Sequence, residues 1–346
     1  MNITKKLINW YLVNKRDLPW RNTSNPYFIW LSEIILQQTQ VAQGLPYYVA
    51  FTTKYPTIFN LANASESQIL KLWQGLGYYS RARNLHASAK YIVNELDGVF
   101  PNTYSEIIKL KGVGDYTASA VASISFNEVT AVVDGNVYRA LSRIFGISTP
   151  INTGQGFKEF KALAQTLIDK NQPATFNQAI MEFGARLCKP KNPDCTICPF
   201  NSCCVALQKN LIGQLPVKLK TLKVKKKYFN FIVIVSLDKK TVLEKRKGKG
   251  IWQNLYQFPL VETLKSSNIE AIEKEFKGFS ILKNKNFSVS LYNDSEIVHK
   301  LSHQHLYTKY WIVSLEEMLP QGVSTKKITD FPVPTLIANF IERFNF

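Results

Sequence analysis

The stretch Leu110-Lys111-Gly112-Val113-Gly114-Asp115-Tyr116-Thr117-Ala118 lies between two runs that are predicted to be helical, Tyr104–Leu110 and Tyr116–Ser125. The two glycines permit a tight turn that aims consecutive backbone N–H groups, and the second helix's N-terminus, at one anion. Because no side chain blocks the approach, a nucleic-acid phosphate can be that anion. An ordinary glycine-rich turn between helices is the alternative that this stretch alone leaves open.

Around this turn, residues 1–212 show apolar residues at a spacing of three to four, which predicts a mostly helical domain. The clearest helical runs are Phe28–Gln38, Ser67–Trp73, Arg81–Leu96 and Phe157–Lys170.

The pattern changes after residue 212. Six lysines lie between residues 218 and 227, so 213–227 is predicted to be a solvated basic linker that also touches phosphate. Beyond it, residues 228–346 predict a small α+β domain. Its strands are predicted at Tyr228–Leu237, Thr241–Lys245, Phe287–Tyr292 and Tyr307–Leu315, and its helices at Ile269–Phe276 and Thr335–Phe344.

The strongly positive net charge of the chain indicates which kinds of molecule it can bind. The 346 residues include 43 Lys and Arg against 25 Asp and Glu, a formal net charge of +18. Such a field attracts polyanions, either nucleic acid or an anionic membrane surface. We expect no membrane-spanning segment and no signal peptide, because no apolar run is long enough and the N-terminus lacks an apolar region. The expected location is therefore the cytoplasm.

Four closely spaced cysteines form a C-x6-C-x2-C-x5-C run: Cys188, Cys195, Cys198 and Cys204. A disulfide framework suits short secreted chains, and this chain is neither short nor equipped for export. Zinc sites usually contain two C-x2-C pairs, whereas this run contains one. The pattern therefore favours a [4Fe–4S] cluster, while zinc and unligated cysteines remain alternatives.

These segments together resemble the helix–hairpin–helix DNA glycosylases, and among them the adenine glycosylase (MutY) family. The resemblance covers nearly the whole chain and strengthens the iron–sulfur interpretation. It rests on the glycine turn, the cysteine run, Leu18–Arg21, Trp30–Val41, Gly75–Leu85 and Val133–Arg139. It implies a mostly α glycosylase domain with a [4Fe–4S] loop at 188–204, followed by a smaller Nudix-like domain.

The resemblance assigns two carboxyl groups to catalysis. Glu33 is the acid that protonates adenine N7 and later helps to activate water. Asp134 stays ionised against the positively charged sugar and can form a covalent adduct with it, as paired carboxyls divide their roles in glycosidases. Tyr116 and Asn136 match positions that orient this pair. From the residues alone, Glu33 is a helix carboxylate among apolar neighbours, and Asp134 is most simply an N-cap.

A lysine is missing where related glycosylase/lyases, such as endonuclease III, form a Schiff base with the sugar. Tyr116 occupies that position here, and Lys109 and Lys111 precede the turn. We therefore predict a monofunctional glycosylase.

Reaching a base requires flipping it out of the duplex. The resemblance assigns Gln38 and Tyr78 to the wedge that opens the base stack. We expect phosphate contacts from Arg81 and Arg83. The hairpin residues Gly112, Val113 and Gly114 complete the DNA-binding set.

The C-terminal domain resembles a Nudix-like recognition domain through Gly250–Pro259. It lacks the Arg-Glu pair of a Nudix hydrolase, so no pyrophosphatase activity is expected. Leu301-Ser302-His303 matches the loop that senses 8-oxoguanine. Leu301 stands where the family usually has Phe, whereas Ser302 and His303 keep the polar groups. Leu301 therefore removes an aromatic wedge from the loop that senses the lesion.

The combined expectation is a bacterial base-excision enzyme that removes adenine opposite 8-oxoguanine or guanine in double-stranded DNA and works as a monomer. Two alternatives remain. An endonuclease III-like enzyme for oxidised pyrimidines is opposed by Tyr116 and by the extra domain. A catalytically silent DNA-binding protein is opposed by the retention of Glu33 and Asp134.

Overall fold

The computed structural model describes residues 3–219, 224–276 and 278–346. Packing divides the chain into two compact units. The N-unit comprises Met1–Asn63 and Asn84–Lys220, and the C-unit comprises Ala64–Arg83 and Thr221–Phe346. The segment Ala64–Arg83 thus packs with the C-terminal residues, whereas the sequence-based division placed it within the first domain, 1–212.

The N-terminal two thirds of the chain are helical, as predicted. The helices are α1 (Ile3–Asn14), α2 (Pro26–Leu36), α3 (Val41–Lys54), α4 (Ile58–Asn63), α5 (Glu66–Leu72), α6 (Ser80–Glu95), α7 (Tyr104–Ile107), α8 (Asp115–Phe126), α9 (Gly135–Phe145), α10 (Gly154–Leu167), α11 (Pro173–Arg186) and α12 (Val205–Gln208). The four clearest predicted helices correspond to α2, α5, α6 and α10, with ends that differ by one to three residues. Local signals explain some ends: Asn25 caps α2, and Ser65 with Gln68 forms a capping box on α5.

The core of the N-unit forms around α9 and α11. Phe176 and Phe183 from α11, Phe200 and the apolar face of α9 are almost fully buried in it. The extended segment Ala131–Val133 is also buried here and leads directly into α9. This packing fixes the first turn of α9, which carries Asp134 as its N-cap.

The C-unit is built on a mixed sheet. Its strands are β1 (Lys225–Ser236), β2 (Lys240–Thr241), β3 (Glu244–Lys245), β4 (Tyr256–Gln257), β5 (Leu260–Thr263), β6 (Phe287–Leu291), β7 (Ile297–Lys300), β8 (Gln304–Leu315) and β9 (Val323–Ser324). The main sheet has the order β5-β1-β8-β6, and β7 also pairs with β8. The long strands β1 and β8 are parallel, with Lys225 opposite Gln304 and Ser236 opposite Leu315.

The C-terminal part of the C-unit contributes the helices α13 (Ile269–Phe276) and α14 (Thr335–Phe344), and both have the predicted bounds. Ile272 of α13 joins the cluster of Ile232, Ile234 and Trp311 on one face of the sheet. Phe340 of α14 stacks on Tyr310, with ring centroids 4.0 Å apart. The predicted small α+β architecture is therefore confirmed.

The predicted linker 213–227 is more structured than its lysines suggest. Leu215 is buried in the N-unit core, and Val217 accepts a backbone hydrogen bond from Ile151. Lys225 to Lys227 already belong to β1. Lys220 and Lys223 lie outside the described residues. Among the helices that the structure describes, none is long and apolar enough to cross a membrane.

Candidate active site

Glu33 is an acid held in an apolar helix. Its neighbours Trp30, Leu31, Ile34 and Ile35 are buried in the N-unit core, and Glu33 itself is only 7 % exposed. Burial raises the pKa of the Glu33 carboxyl to about 7. The burial expected from its apolar neighbours is therefore confirmed, and an appreciable fraction of Glu33 is protonated at neutral pH.

Asp134 lies in the same cleft in a contrasting environment. Burial raises its pKa as well, but its carboxylate accepts three hydrogen bonds that oppose this effect. The backbone N–H groups of Asn136 and Val137 donate over 2.9 and 2.8 Å, and Asn136 Nδ2 donates over 2.8 Å. These donors stabilise the ionised form, so a proton shared between the two acids favours Glu33.

Tyr116 connects the two acids electrostatically. Its pKa is raised well above the usual value by burial and by the negative charges of Glu33 and Asp134, so the phenol keeps its proton. The hydroxyl hydrogen-bonds with Glu33 and lies 3.0 Å from the sulfur of Met181. Since a phenol has one proton, Tyr116 donates to Glu33 when that carboxyl is ionised, and is free to donate to sulfur when Glu33 is protonated.

One open cleft of about 1030 Å³ brings the predicted catalytic residues together. Its lining includes Glu33, Tyr116, Asp134 and Asn136, and also Gln38, Gly114 and Arg139. Gln38 follows the end of α2 and has a φ of 53°, a left-handed conformation that is uncommon for a residue with a side chain. Such strain is typical of functional positions. The side chain of the neighbouring residue Gln37 donates a hydrogen bond from Nε2 to Thr117 Oγ1 over 3.2 Å.

Arg139 links this cleft to the cysteine loop. The buried guanidinium donates to Asn136 Oδ1 over 2.8 Å, to the carbonyl oxygen of Gly184 over 2.7 Å, and to that of Cys188 over 2.7 Å. One turn later on α9, Arg143 donates to the carbonyl oxygens of Lys189 and Pro190. One helix thus carries Asp134 at its start and two arginines that hold the loop after Cys188.

All five cysteines are free, which excludes the disulfide alternative in this structure. The four predicted ligands line one apolar cavity of the N-unit, together with Phe183 and Phe200. Cys203 does not line this cavity, as expected for the cysteine left out of the ligand set. Within residues 3–219, 224–276 and 278–346, no three His, Cys, Asp or Glu side chains are placed to hold a single metal ion.

The glycine hairpin has the predicted form, with α7 before the turn and α8 after it. Gly112 has a φ of +81°, and a Cβ there would lie 2.6 Å from Asn84 Cβ, so a larger residue would clash. At Gly114 a Cβ would meet nothing within 4 Å. Val113 is buried and anchors the turn. The backbone at Gly114 and the first turn of α8 are therefore open to approach.

A second cavity, of about 590 Å³, lies within the C-unit. Tyr78 lines it together with Ser302 and His303, although these residues are more than 200 positions apart in sequence. Leu301 and Arg83 also line it. Tyr78 has a φ of 47° and is 47 % exposed, so it is presented to solvent from a strained turn.

The two arginines predicted to meet phosphate are engaged within the C-unit. Arg81 is 8 % exposed, donates to the carbonyl oxygens of Leu76 and Gly77, and lies over the ring of Trp73. Arg83 donates to the carbonyl oxygen of Gln253 over 2.9 Å. In this structure the Arg81 guanidinium supports the turn before Tyr78, and its contact with phosphate stays a prediction.

Sequence reasoning missed a buried acid near the site. Glu182 is 1 % exposed and accepts hydrogen bonds from Arg16 and Arg21. These bonds hold its pKa at about 2 despite burial. Arg21 in turn lowers the pKa of Glu33 electrostatically. The Leu18–Arg21 segment was the one part of this network that the sequence singled out. A single acid within α11 carries no local pattern that predicts its burial or its partners.

Comparison with known proteins agrees with this geometry. A family model described as "HhH-GPD superfamily base excision DNA repair protein" matches residues 31–166, and a "NUDIX domain" model matches residues 230–343. Among solved structures, a thermostable thymine-DNA glycosylase is similar with a TM-score of 0.56 and 31% identity, covering 60% of this chain and 95% of its own. An endonuclease III–DNA complex shares the fold, with a TM-score of 0.53 and 21% identity over 60% of this chain and 94% of its own. The hairpin, the acid pair and these matches define a helix–hairpin–helix DNA glycosylase of base excision repair.

The relatives narrow the class further. The adenine DNA glycosylase of Buchnera aphidicola subsp. Baizongia pistaciae is 36% identical over 310 residues, covering 89% of this chain and 85% of the relative. The mouse adenine DNA glycosylase is 45% identical over 218 residues, covering 60% of this chain and 42% of the relative. The chain belongs to the adenine DNA glycosylase family, whose members hydrolyse N-glycosyl bonds.

Proposed function

We propose that this protein hydrolyses the N-glycosidic bond of adenine mispaired with 8-oxoguanine or guanine in duplex DNA, without cleaving the strand. The observation that carries this proposal is the acid pair in one cleft. The pKa of Glu33 is raised to about 7, and Asp134 accepts three hydrogen bonds that favour its ionised form. One acid can donate a proton while the other stays charged.

In this mechanism the flipped adenine enters the cleft of the N-unit. Glu33 donates its proton to adenine N7, which makes the base a better leaving group. As the bond breaks, the sugar gains positive charge, and the Asp134 carboxylate stabilises it. Tyr116 then stabilises the Glu33 carboxylate by donating to it, and Asn136 keeps Asp134 oriented. The Glu33 carboxylate accepts a proton from the water molecule whose oxygen bonds to the sugar carbon, which completes the hydrolysis and restores the acid.

The opposite base is assigned to the cavity of the C-unit. Tyr78 offers an aromatic edge there, while Ser302 and His303 offer polar groups that can read a purine. Leu301 lines the cavity and offers no ring for stacking. We therefore expect a preference for 8-oxoguanine over guanine that depends on Ser302.

The cysteine cavity is proposed to hold one [4Fe–4S] cluster, with Cys188, Cys195, Cys198 and Cys204 as ligands. Support comes from four thiols around one apolar cavity and from the Arg143 guanidinium, whose Nη1 lies 3.5 Å from Cys188 Sγ. Such a cation favours thiolate ligands. A bound cluster would order the loop after Cys188. The protein is further proposed to act in the bacterial cytoplasm as a monomer.

A duplex panel tests the proposed activity. Duplexes with adenine opposite 8-oxoguanine, guanine or thymine, and a thymine-glycol duplex, are incubated with excess enzyme and analysed with and without alkali. We expect alkali-dependent breaks at adenine in the two mispairs, and no covalent adduct trapped by borohydride. Direct nicking at thymine glycol would instead assign the protein to the endonuclease III type of activity.

A further inference from the structure

An aspartate occupies a position where an anion-binding hairpin would not be expected to carry negative charge. Asp115 is the first residue of α8 and directly follows Gly114 of the hairpin. A carboxylate at a helix N-terminus competes with an incoming phosphate for the same backbone N–H groups, and it repels the phosphate. The backbone N–H groups at Gly114 and in the first turn of α8 can therefore bind a DNA phosphate only if the Asp115 carboxylate is neutralised and held away from them.

Lys161 of α10 meets this requirement. Its ammonium lies 3.0 Å from the Asp115 carboxylate, and the two side chains are only 21% and 20% exposed. The same ammonium donates to Ser119 Oγ over 2.9 Å and to the carbonyl oxygen of Ala131 over 2.6 Å. On the other side, the Tyr104 hydroxyl donates to Asp115 Oδ1 over 2.8 Å. Because the ion pair is mostly shielded from solvent, salt screens it less than an exposed pair.

These contacts hold the carboxylate on the side of α8 that faces α7 and α10. Burial and the hydrogen bond to Asp115 raise the pKa of Tyr104 to about 12, so its hydroxyl remains a donor at every pH of interest. The carboxylate thus has fixed partners on both oxygens. Asp115 is not the N-cap of α8, because Gly114 occupies that position and Asp115 is the first helical residue.

We propose that Lys161 is a positioning residue for DNA binding: it neutralises Asp115 and keeps that carboxylate away from the hairpin N–H groups that receive a DNA phosphate. The inference rests on the proposed function, which assigns the phosphate to the hairpin. Lys161 itself does not touch DNA in this account. Its effect is on binding to any duplex, because phosphate contacts carry no sequence information.

A purely structural role for Lys161 is the competing explanation, since the same ammonium ties α10 to α8 and to the segment before Asp134. The two explanations differ when the negative charge is removed. Asp115→Asn keeps the shape and the acceptor for Tyr104, but removes the charge. If Lys161 acts by neutralisation, its loss matters only while Asp115 is charged.

The test measures the dissociation constant for an undamaged duplex with Lys161→Met, Asp115→Asn and the double variant, at low and high salt. Lys158→Met is the matched control, because Lys158 is exposed on the same helix and its removal changes the net charge equally. We expect Lys161→Met to bind about tenfold more weakly than Lys158→Met at low salt, the size of one charge-assisted contact. Asp115→Asn should bind at least as tightly as the wild type, and the double variant should recover to within about twofold of Asp115→Asn.

Single-turnover excision at saturating enzyme provides the second readout, and Lys161→Met should retain a rate within about threefold of the wild type, because only binding is affected. Equal affinity of Lys161→Met and Lys158→Met would overturn the inference. So would a double variant as weak as Lys161→Met. If Lys161→Met does not fold, weaker binding by Asp115→Asn alone would overturn it. Failure of the wild type to excise adenine would instead reject the proposed function.

Discussion

The pH dependence of base excision follows from the environment of Glu33. A general acid works only while it is protonated, and burial raises the Glu33 pKa to about 7. Within this net pKa, the charge of Asp134 adds to the effect of burial, whereas the hydrogen bond from Tyr116 and the charge of Arg21 oppose it. The protonated fraction therefore falls as pH rises through about 7, and the excision rate should fall with it.

The magnitude of this effect can be estimated from the shift. At pH 7 about half of the Glu33 carboxyls are protonated, against about 0.3 % for a carboxyl with a pKa of about 4.5. The buried position thus enlarges the population of active acid about 150-fold at neutral pH. Between about pH 6 and pH 9, the protonated fraction falls about 90-fold, with a slope of −1 in the logarithmic plot above pH 7.

The assay is single-turnover release of adenine from an adenine:8-oxoguanine duplex at saturating enzyme and constant ionic strength. Tyr116→Phe removes a hydrogen bond that favours ionised Glu33, so its rate should fall at a higher pH than that of the wild type. Tyr91→Phe is the control, because Tyr91 is exposed and lines neither the cleft nor the space around Glu33. A wild-type rate that stays constant up to about pH 9 would refute the assignment of Glu33 as the acid.

Three further outcomes are expected. Asp134→Asn should lower the excision rate about 10²–10³-fold while changing the unfolding free energy by less than about 1 kcal/mol, because Asn is as good an N-cap as Asp; single-turnover kinetics and thermal unfolding check this. Glu182→Gln should lower the unfolding free energy by about 3 kcal/mol at neutral pH, because the folded pKa of about 2 lies below the unfolded value, so this stability is present above about pH 4.5 and is lost as pH falls through about 2. Denaturant unfolding of both proteins at several pH values measures it, and a difference that persists unchanged at the lowest pH would contradict it. Cys198→Ser should remove the yellow-brown colour and the bound iron of the purified protein, whereas a colourless wild type that contains zinc would reject the cluster.

Local patterns in the sequence predicted much of the fold. The apolar periodicity of α2 and α10, the glycine turn and the continuous apolar run of β1 depend on neighbouring residues, so they can be recognised without the structure. The same holds for Asp134 as an N-cap, which requires only a carboxylate before a helix. The protonation state of Glu33 was anticipated in direction from its apolar neighbours alone.

Other features depend on contacts between distant residues. Lys71 of α5 donates to the carbonyl oxygen of Phe331 over 3.3 Å, and Asn254 donates to Glu66 over 2.7 Å. Such contacts place Ala64–Arg83 in the C-unit, and the local sequence does not predict them. The local sequence likewise did not predict that Arg81 would donate to the backbone carbonyls of Leu76 and Gly77.

Release of free adenine from an adenine:8-oxoguanine duplex by the wild type and by Glu33→Gln at pH 7 measures the contribution of the acid pair to the chemical step. Chromatography of the free base detects the chemical step without relying on strand cleavage. We expect rapid release by the wild type and a loss of at least about 10²-fold in Glu33→Gln, with similar duplex affinity. Equal rates for the two proteins would contradict the acid pair as the catalytic centre.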